Sequence, residues 1–294
     1  MKLEYYNENA DLPENFTLVR EFLKGLTSAK SYENWHWARW GWLMGHPNFQ
    51  DDMLKMIGLW KDDNKIVGIT THDMRMGEAY IICKPDNCEI LKEMVEFAEQ
   101  NIVSEGKLSI IVYCEDNIQN DLLKSLGYCK TDKQEVILGY DFMEEDFSYS
   151  LPYGFSVTSC KDEKDINKYV RVVWNGFENE GEPPILDNDF DKPLRENWNE
   201  ELSVFIKAPD GDYAAHCGMW YEEGEKTAYI EPVCTVPEYR NKGLAKIAVY
   251  ESMKRCSKLG AKRAIVISNQ EFYYKIGFKV SSTYLFWEKN IIRR

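Results

Sequence analysis

No apolar run in the chain approaches the roughly 18 residues that a membrane-crossing helix needs, so nothing in it reads as a span. The first residues, Met1-Lys2-Leu3-Glu4-Tyr5-Tyr6-Asn7, lack the apolar core of a signal peptide, and a cytoplasmic location is expected. The four histidines, His36, His46, His72 and His216, show no metal-ligand spacing, so no metal is expected. The eight cysteines (Cys83, Cys88, Cys114, Cys129, Cys160, Cys217, Cys234 and Cys256) form no CxxC pair. Several fall inside apolar strand or helix patterns, so reduced, mostly buried thiols are expected. Positive charge is in short supply: 36 Lys+Arg face 49 Asp+Glu, a net −13. Residues 1–150 hold 15 and 27 of these, a net −12, leaving 21 and 22, a net −1, for residues 151–294. A chain this acidic is a poor binder of nucleic acid. Solubility is the simplest reading of the acidic half, and attraction of a cationic partner is the functional one.

What the chain does have is apolar material for real cores. Its 294 residues are 44% hydrophobic and 14% aromatic, long enough for two domains of roughly 100–200 residues each and too apolar for global disorder. The stretch Tyr229-Ile230-Glu231-Pro232-Val233-Cys234-Thr235-Val236-Pro237-Glu238-Tyr239-Arg240-Asn241-Lys242-Gly243-Leu244-Ala245 organises the second half. It reads as a strand, a tight loop carrying Arg and Gly, and a helix beginning near Gly243. Such a loop leaves backbone N–H groups unpaired at a helix N-terminus, where the helix dipole favours a phosphate or pyrophosphate. A phosphorylated cofactor is therefore expected. A nucleotide-binding Walker loop is excluded, because Leu244-Ala245 follow Gly243 where Lys-Ser/Thr should stand.

Element order repeats along the chain. Residues 31–44 carry Trp35, Trp37, Trp40 and Trp42. Trp35, Ala38, Arg39 and Trp42 share a helical face, a stripe that reads as core before it reads as a ligand pocket. Residues 56–60 and 65–69 are predicted strands of a hairpin around Asp62-Asp63-Asn64. A strand at 79–83, a helix at 89–103, a buried strand at 108–113, a short helix at 122–128 and a strand at 135–142 follow. The second half shows strands at 203–207 and 214–221 around Asp210-Gly211-Asp212, a strand at 228–230, a helix at 243–258 and a strand at 264–267. Ala228-Tyr229-Ile230 echoes Ala79-Tyr80-Ile81, and Tyr274-Lys275-Ile276-Gly277-Phe278 echoes Lys124-Ser125-Leu126-Gly127-Tyr128. Ala79 to Gly127 spans 48 positions and Ala228 to Gly277 spans 49. Duplicated domains are expected at 1–145 and 151–294, parted near the acidic Glu144-Glu145-Asp146-Phe147-Ser148.

The second half resembles the GCN5-related N-acetyltransferase (GNAT) superfamily over nearly its whole length. Arg240-Asn241-Lys242-Gly243-Leu244-Ala245 fits that family's Q/R-x-x-G-x-G/A acetyl-CoA loop, and Asn269 with Phe272-Tyr273-Tyr274-Lys275-Ile276-Gly277-Phe278 fits its later signature. The resemblance implies an α/β (α+β) fold of two tandem GNAT-like domains, each a mixed, mostly antiparallel sheet flanked by helices. It implies a bulged, splayed strand that admits the pantetheine arm of acetyl-CoA. Backbone groups of Cys234, Thr235 and Val236 would hold that arm, as an added strand would. Amides of Arg240, Asn241, Lys242, Gly243, Leu244 and Ala245 would hold the pyrophosphate, and Asn269 would contact the cofactor. The first half departs from the pattern. Lys84-Pro85-Asp86-Asn87-Cys88 has neither Arg nor Gly, so it reads as a degenerate domain without an acyl-CoA loop.

Acetyl transfer from a thioester to an amine needs a neutral amine, a stabilised oxyanion and a proton for the leaving thiolate. Glu231, just before the bulge, is the candidate general base, with an exposed strand carboxylate as the plainer reading. Tyr273 is the candidate general acid, with a core aromatic as the plainer reading. A backbone N–H at Cys234 would stabilise the oxyanion. An acyl-cysteine at Cys234 lacks a histidine nearby in sequence. Glu178 and Glu180, in Glu178-Asn179-Glu180-Gly181-Glu182 after an amphipathic helix, and Trp220 with Tyr221 are candidate acceptor contacts. The acceptor is expected to be a small primary amine, cationic before transfer, with a polyamine and a peptide N-terminus also open. A monomer or homodimer is expected. The rival functions are a non-catalytic acyl-CoA sensor or scaffold, a longer-acyl donor, and an amide-forming acyltransferase resembling mycothiol synthase.

Overall fold

The computed structural model describes residues 1–6, 12–26, 29–46, 51–142, 147–185 and 199–291. Its strands are β1 (Lys2–Tyr5), β2 (Gly58–Asp62), β3 (Lys65–Thr71), β4 (Glu78–Cys83), β5 (Lys107–Tyr113), β6 (Cys129–Asp141), β7 (Ser156–Ser159), β8 (Ser203–Lys207), β9 (Tyr213–Trp220), β10 (Thr227–Thr235), β11 (Arg263–Ile267) and β12 (Lys279–Asn290). Its helices are α1 (Leu12–Lys24), α2 (Trp37–Gly45), α3 (Asp51–Leu54), α4 (Leu91–Asn101), α5 (Asn117–Ser125), α6 (Ile166–Gly176), α7 (Leu244–Lys258) and α8 (Glu271–Lys275). The second half runs strand, helix, three strands, helix, strand, helix, strand, and the first half follows the same order with three helices, α1–α3, where the second has α6. This is the repeat seen in the sequence, with β1, β7 and β12 added to the predicted strands.

Two compact units form. The first comprises Met1–Leu138, Ile267–Asn269 and Val280–Arg294, and the second Gly139–Val266 and Gln270–Lys279. The expected boundary falls partly on Glu144-Glu145-Asp146, which lie outside the described residues, whereas the units change over between Leu138 and Gly139. The C-terminal strand is the larger departure from a cut at 145–151. β12 pairs antiparallel with β5, from Tyr284↔Tyr113 to Asn290↔Lys107, and so belongs to the first unit. An alternating pattern says which face of a strand is buried but not which edge it joins.

In the first unit the strand order is β1-β2-β3-β4-β5-β12-β6. Asp63 and Asn64 take φ of 45° and 65°, the two left-handed residues that a tight β2–β3 turn requires. The α4 face of Leu91, Met94, Val95 and Ala98 packs on Trp60, Val67, Ala79, Ile81 and Ile110, with Trp287 of β12 in the same cluster. Trp35 closes a turn of 3-10 helix over Lys30–Trp35 and therefore does not share the α2 face. Trp35, Trp37, Ala38 and Trp40 are buried, whereas Trp42 is half-buried and Arg39 lines a cavity, so the expected stripe is core only in part. The loop expected to be degenerate is a 3-10 turn, Pro85–Ile90. The Asn87 N–H bonds Lys84 O at 2.9 Å and the Leu91 N–H bonds Cys88 O.

In the second unit the strands run β11-β10-β9-β8-β7. They are antiparallel except for β10 and β11, where Ala228 pairs with Ala264, as Ala79 pairs with Ile110 between β4 and β5. The Asp165 carboxylate accepts from Lys168 N at 3.0 Å and starts α6. The neighbours His216 and Cys217 on β9 point to opposite faces. His216 meets Tyr169 of α6, ring centroids 5.3 Å apart, and Cys217 lies beside Ser252 of α7. The two helices therefore cover opposite faces of this sheet. Among the described residues no helix is long and apolar enough to cross a membrane.

Trp287 is 9% exposed and its indole N–H donates to Asn120 Oδ1 at 2.8 Å. Trp287→Ala should destabilise the first unit by about 3 kcal/mol or more. Hydrogen exchange should show protection lost in β4, β5 and α4 with β8–β10 little changed. The reverse pattern would contradict the placement of β12.

Candidate active site

The site is built on a break in β10. Ile230 pairs with Met219 and Val233 with Cys217, so three steps on β10 answer two on β9, and the extra residue sits at Glu231–Pro232 as a β-bulge. On its other side β10 pairs with β11 only from Thr227 to Tyr229, although β10 continues to Thr235. The two parallel strands part at Tyr229, as a splayed strand should. Three neighbours hold the bulge. Trp220 donates its indole N–H to Glu231 O at 2.9 Å. Gly218 lies so close that a Cβ would stand 2.5 Å from Glu231 O and 2.9 Å from Pro232 Cδ. Gly176, the last residue of α6, approaches Cys234 so closely that a Cβ would sit 2.7 Å from Cys234 Cβ.

The loop beyond β10 forms a concave ring of donors. Asn241 and Gly243 adopt φ of 63° and 75°, and such alternation turns successive N–H groups inward. Gly243 stands at the N-cap of α7 with no side chain capping it. Among the described residues the N–H groups of residues 241–246 have no hydrogen-bond partner. Uncapped donors at the positive end of a 15-residue helix suit a phosphate. The Arg240 side chain braces this loop. It donates to Thr235 O at 3.1 Å, to Gly176 O at 3.1 Å and to the Glu178 carboxylate at 2.9 Å.

Tyr273, on α8, is 6% exposed and stacks edge-on with Phe272 and Phe278 at 4.9 and 5.5 Å. Burial pushes its phenol well above the ordinary range, and the nearby Cys217, Glu231 and Cys234 push in the same direction. The structure thus brings Tyr273 into the electrostatic reach of Glu231 and Cys234, and keeps the phenol protonated. Its hydroxyl has no hydrogen-bond partner among the described residues. Cys234 is 6% exposed and its thiol donates to Val172 O at 3.4 Å. Burial raises that thiol's pKa to about 12, so it is a poor nucleophile.

Residues 171–278 match the model of the acetyltransferase (GNAT) family. The second half of the chain carries a GNAT domain. Similar solved structures extend the likeness to the whole chain at the level of fold. A GCN5-related N-acetyltransferase from Sphaerobacter thermophilus is 14% identical, with 97% of this chain and 95% of that one covered, at a TM-score of 0.60. A tandem GNAT protein from the clavulanic acid biosynthesis pathway is 12% identical over 100% of both chains, with a TM-score of 0.62. A GCN5-related N-acetyltransferase from Kribbella flavida is 14% identical over 76% and 86%, at 0.51. No curated protein matches the sequence. The fold is that of tandem GNAT proteins, each unit a mixed, mostly antiparallel sheet with flanking helices.

The residues present fit acetyl-CoA, the acyl donor that GNAT enzymes generally use. Besides the free donors of the loop, the Thr235 hydroxyl is buried and without a partner among the described residues, an arrangement that normally marks a missing polar neighbour. Not every residue read from the sequence is available, however. Val236 commits its N–H to Ala214 O at 3.0 Å, and its carbonyl accepts from Tyr239 N at 2.9 Å. Two residues earlier in the same antiparallel ladder Cys234 faces His216, so its backbone groups also turn to β9. The Arg240 amide bonds Pro237 O at 3.2 Å, leaving its side chain as a brace. Glu178 is paired with Arg240, so its charge is answered from within, whereas Glu180 is exposed. Trp220 is buried under the bulge, and Tyr221 is tied to Glu225 O and Leu259 O at 3.1 and 3.3 Å, so neither stands as an open wall. Asn269 belongs to the first unit and lines a cavity of about 340 Å³ there. Sequence reading passed over Gly218 and Gly176, although a glycine inside a strand pattern signals close backbone approach.

Gly218→Ala should cost about 1–3 kcal/mol, since the methyl must displace the Glu231 carbonyl. Gly45→Ala, where a Cβ meets nothing within 4 Å, should change stability by less than about 0.5 kcal/mol. Urea unfolding of the two variants checks the contrast. His216 supplies a pH test. It is 1% exposed between Phe205 and Tyr169, and burial lowers its pKa to about 4. The native ring stays neutral while the unfolded one protonates below about 6.5. Its contribution is whole above that pH and is lost as pH falls to about 4, by up to about 1.4 kcal/mol per pH unit. His216→Gln should flatten that part of the urea-derived stability profile.

Proposed function

We propose that the protein is an N-acetyltransferase that takes its acetyl group from acetyl-CoA and passes it to a primary amine by direct attack, with the chemistry in the second unit. The observation that carries this reading is the combination at one strand: a bulge presenting Glu231, a β10 edge that parts from β11 after Tyr229, and the uncapped N–H ring before α7. Acetyl-CoA, when bound, supplies an activated acetyl thioester. The edge of β10 around Thr235 holds an extended arm by strand-like hydrogen bonds. The amides of Asn241, Lys242, Gly243, Leu244 and Ala245 neutralise phosphate charge.

Glu231 is the proton acceptor. It draws a proton from the acceptor's ammonium, directly or through a water, so that the nitrogen presents a lone pair. Tyr273 is the proton source for the departing thiolate. Its raised pKa keeps the phenol intact across the working range, and its hydroxyl is not committed to another group among the described residues. A backbone N–H of the β10 edge that faces away from β9 donates to oxygen as negative charge gathers there. GNAT enzymes act on small-molecule or protein amines. A small cationic amine suits the exposed carboxylates of Glu180 and Glu182. The first unit, whose corresponding loop is closed into a 3-10 turn, is read as a partner domain that does not bind acyl-CoA.

Acetyl-CoA consumption over an amine panel tests the reading. Glu231→Gln should retain acetyl-CoA affinity while kcat falls about 10²–10⁴-fold, and Tyr273→Phe should lower kcat at saturating acetyl-CoA. Unchanged turnover in Tyr273→Phe would remove that residue from the chemistry. Tight acetyl-CoA binding with no transfer to any amine would favour a sensor, and preference for propionyl- or succinyl-CoA would change the donor.

A further inference from the structure

The first unit holds a second place built to receive a ligand. Its cavity of about 340 Å³ falls in the size range of small-molecule pockets, and its deep wall is polar. Arg39 and Tyr80 are 6% and 2% exposed, and the Glu135 side chain is 12% exposed. The Arg39 guanidinium lies 4.8 Å over the Tyr80 ring. It donates from Nε to Asp73 Oδ2 at 3.2 Å and from Nη2 to Glu135 Oε2 at 3.1 Å. The Tyr80 hydroxyl donates to the same Glu135 oxygen at 3.2 Å. Helix α2, the loop after β3, and strands β4 and β6 thus fix one another's side chains, so this wall is ordered by the protein alone.

The charges on this wall do not balance. One guanidinium faces two carboxylates, Asp73 and Glu135. Burial works to raise the Asp73 pKa, but the Arg39 charge and hydrogen bonds outweigh it and hold the group below its ordinary range. The deep end therefore carries one unanswered negative charge in a partly buried setting, where a cation is favoured. Nearer solvent, Lys133 and Glu78 form an ion pair and cancel. Arg75 lines the same cavity, is exposed and has no carboxylate partner among the described residues. Negative inside and positive at the rim is a dipole. Phe286 is buried beneath Lys133, whose ammonium lies 4.2 Å from the ring.

We propose that this cavity binds a small zwitterion of the amino-acid class, its ammonium set against Asp73 and Glu135 and its carboxylate toward Arg75. A polyphosphate would bring several negative charges beside two carboxylates. A simple amine would leave Arg75 unanswered, and a simple acid would leave Asp73 and Glu135 so. This inference does not depend on acyl transfer.

Calorimetry on the full-length protein, without acetyl-CoA, tests it. The probes are a set of free α-amino acids, the matching amines without carboxylate, and the matching acids without amine. At least one amino acid should bind, with its amine and acid counterparts about tenfold or more weaker. Arg75→Ala should weaken the amino acid about tenfold and leave the amine unchanged, whereas Asp73→Asn should weaken both. Arg75 is exposed, so its variant reports on binding even if changes at Asp73 disturb the wall. No binding by any amino acid at millimolar concentration would overturn the proposal and leave the wall a structural network. So would binding that neither substitution moves, since the ligand would then sit elsewhere.

Discussion

One additional residue in β10 sets the form of the second unit. Because Glu231–Pro232 has no opposite number on β9, the strand bends there and leaves β11 after Tyr229. A regular ladder would have carried those backbone groups into the sheet and covered the edge. The bulge survives because its surroundings fit nothing else. A glycine stands where any Cβ would strike the Glu231 carbonyl, an indole N–H holds that oxygen, and a second glycine lets α6 close on Cys234. The same bend puts Glu231 in the electrostatic neighbourhood of Tyr273.

The loop that follows depends on a different physical principle, the unpaired donors of a helix start. Left-handed backbone at Asn241 and Gly243 keeps the N–H groups facing one concavity, and no side chain caps them. The Arg240 side chain ties this loop to the end of α6 and to Thr235. Its pair with Glu178 is solvent-exposed at 40% and 63%, so the ion pair itself contributes roughly 0–1 kcal/mol, and its main effect is on loop position. The first unit repeats the parallel pair at Ala79↔Ile110 but follows it with a proline-led 3-10 turn whose donors are partly used. The same strand–helix junction thus serves two different ends.

Much of this was legible along the chain. Hydrophobic periodicity marked α7, and its buried face includes Ala248, Val249, Ser252, Met253 and Cys256. Turn residues marked the β2–β3 and β8–β9 connections. The spacing of Arg240, Gly243 and the Tyr273 signature pointed to the loop, its helix and the GNAT domain. These features are local: each depends on residues within a few positions of one another, where pattern and conformation are directly linked. Other features were hidden because hydrogen bonds are allotted by the fold. Nothing near Val236 in sequence shows that its amide is taken by Ala214.

The sequence by itself determined the duplication, the alternation of strands and helices, and the left-handed glycine that opens α7, since these follow from periodicity and backbone sterics. Only the tertiary structure decided that β12 joins β5, since an edge accepts any strand whose pattern suits its faces. It also decided that Arg39, Asp73 and Glu135, separated by 34 and 96 positions from the arginine, form one wall with a surplus negative charge. That charge balance is a property of distances in space, and no spacing along the chain encodes it.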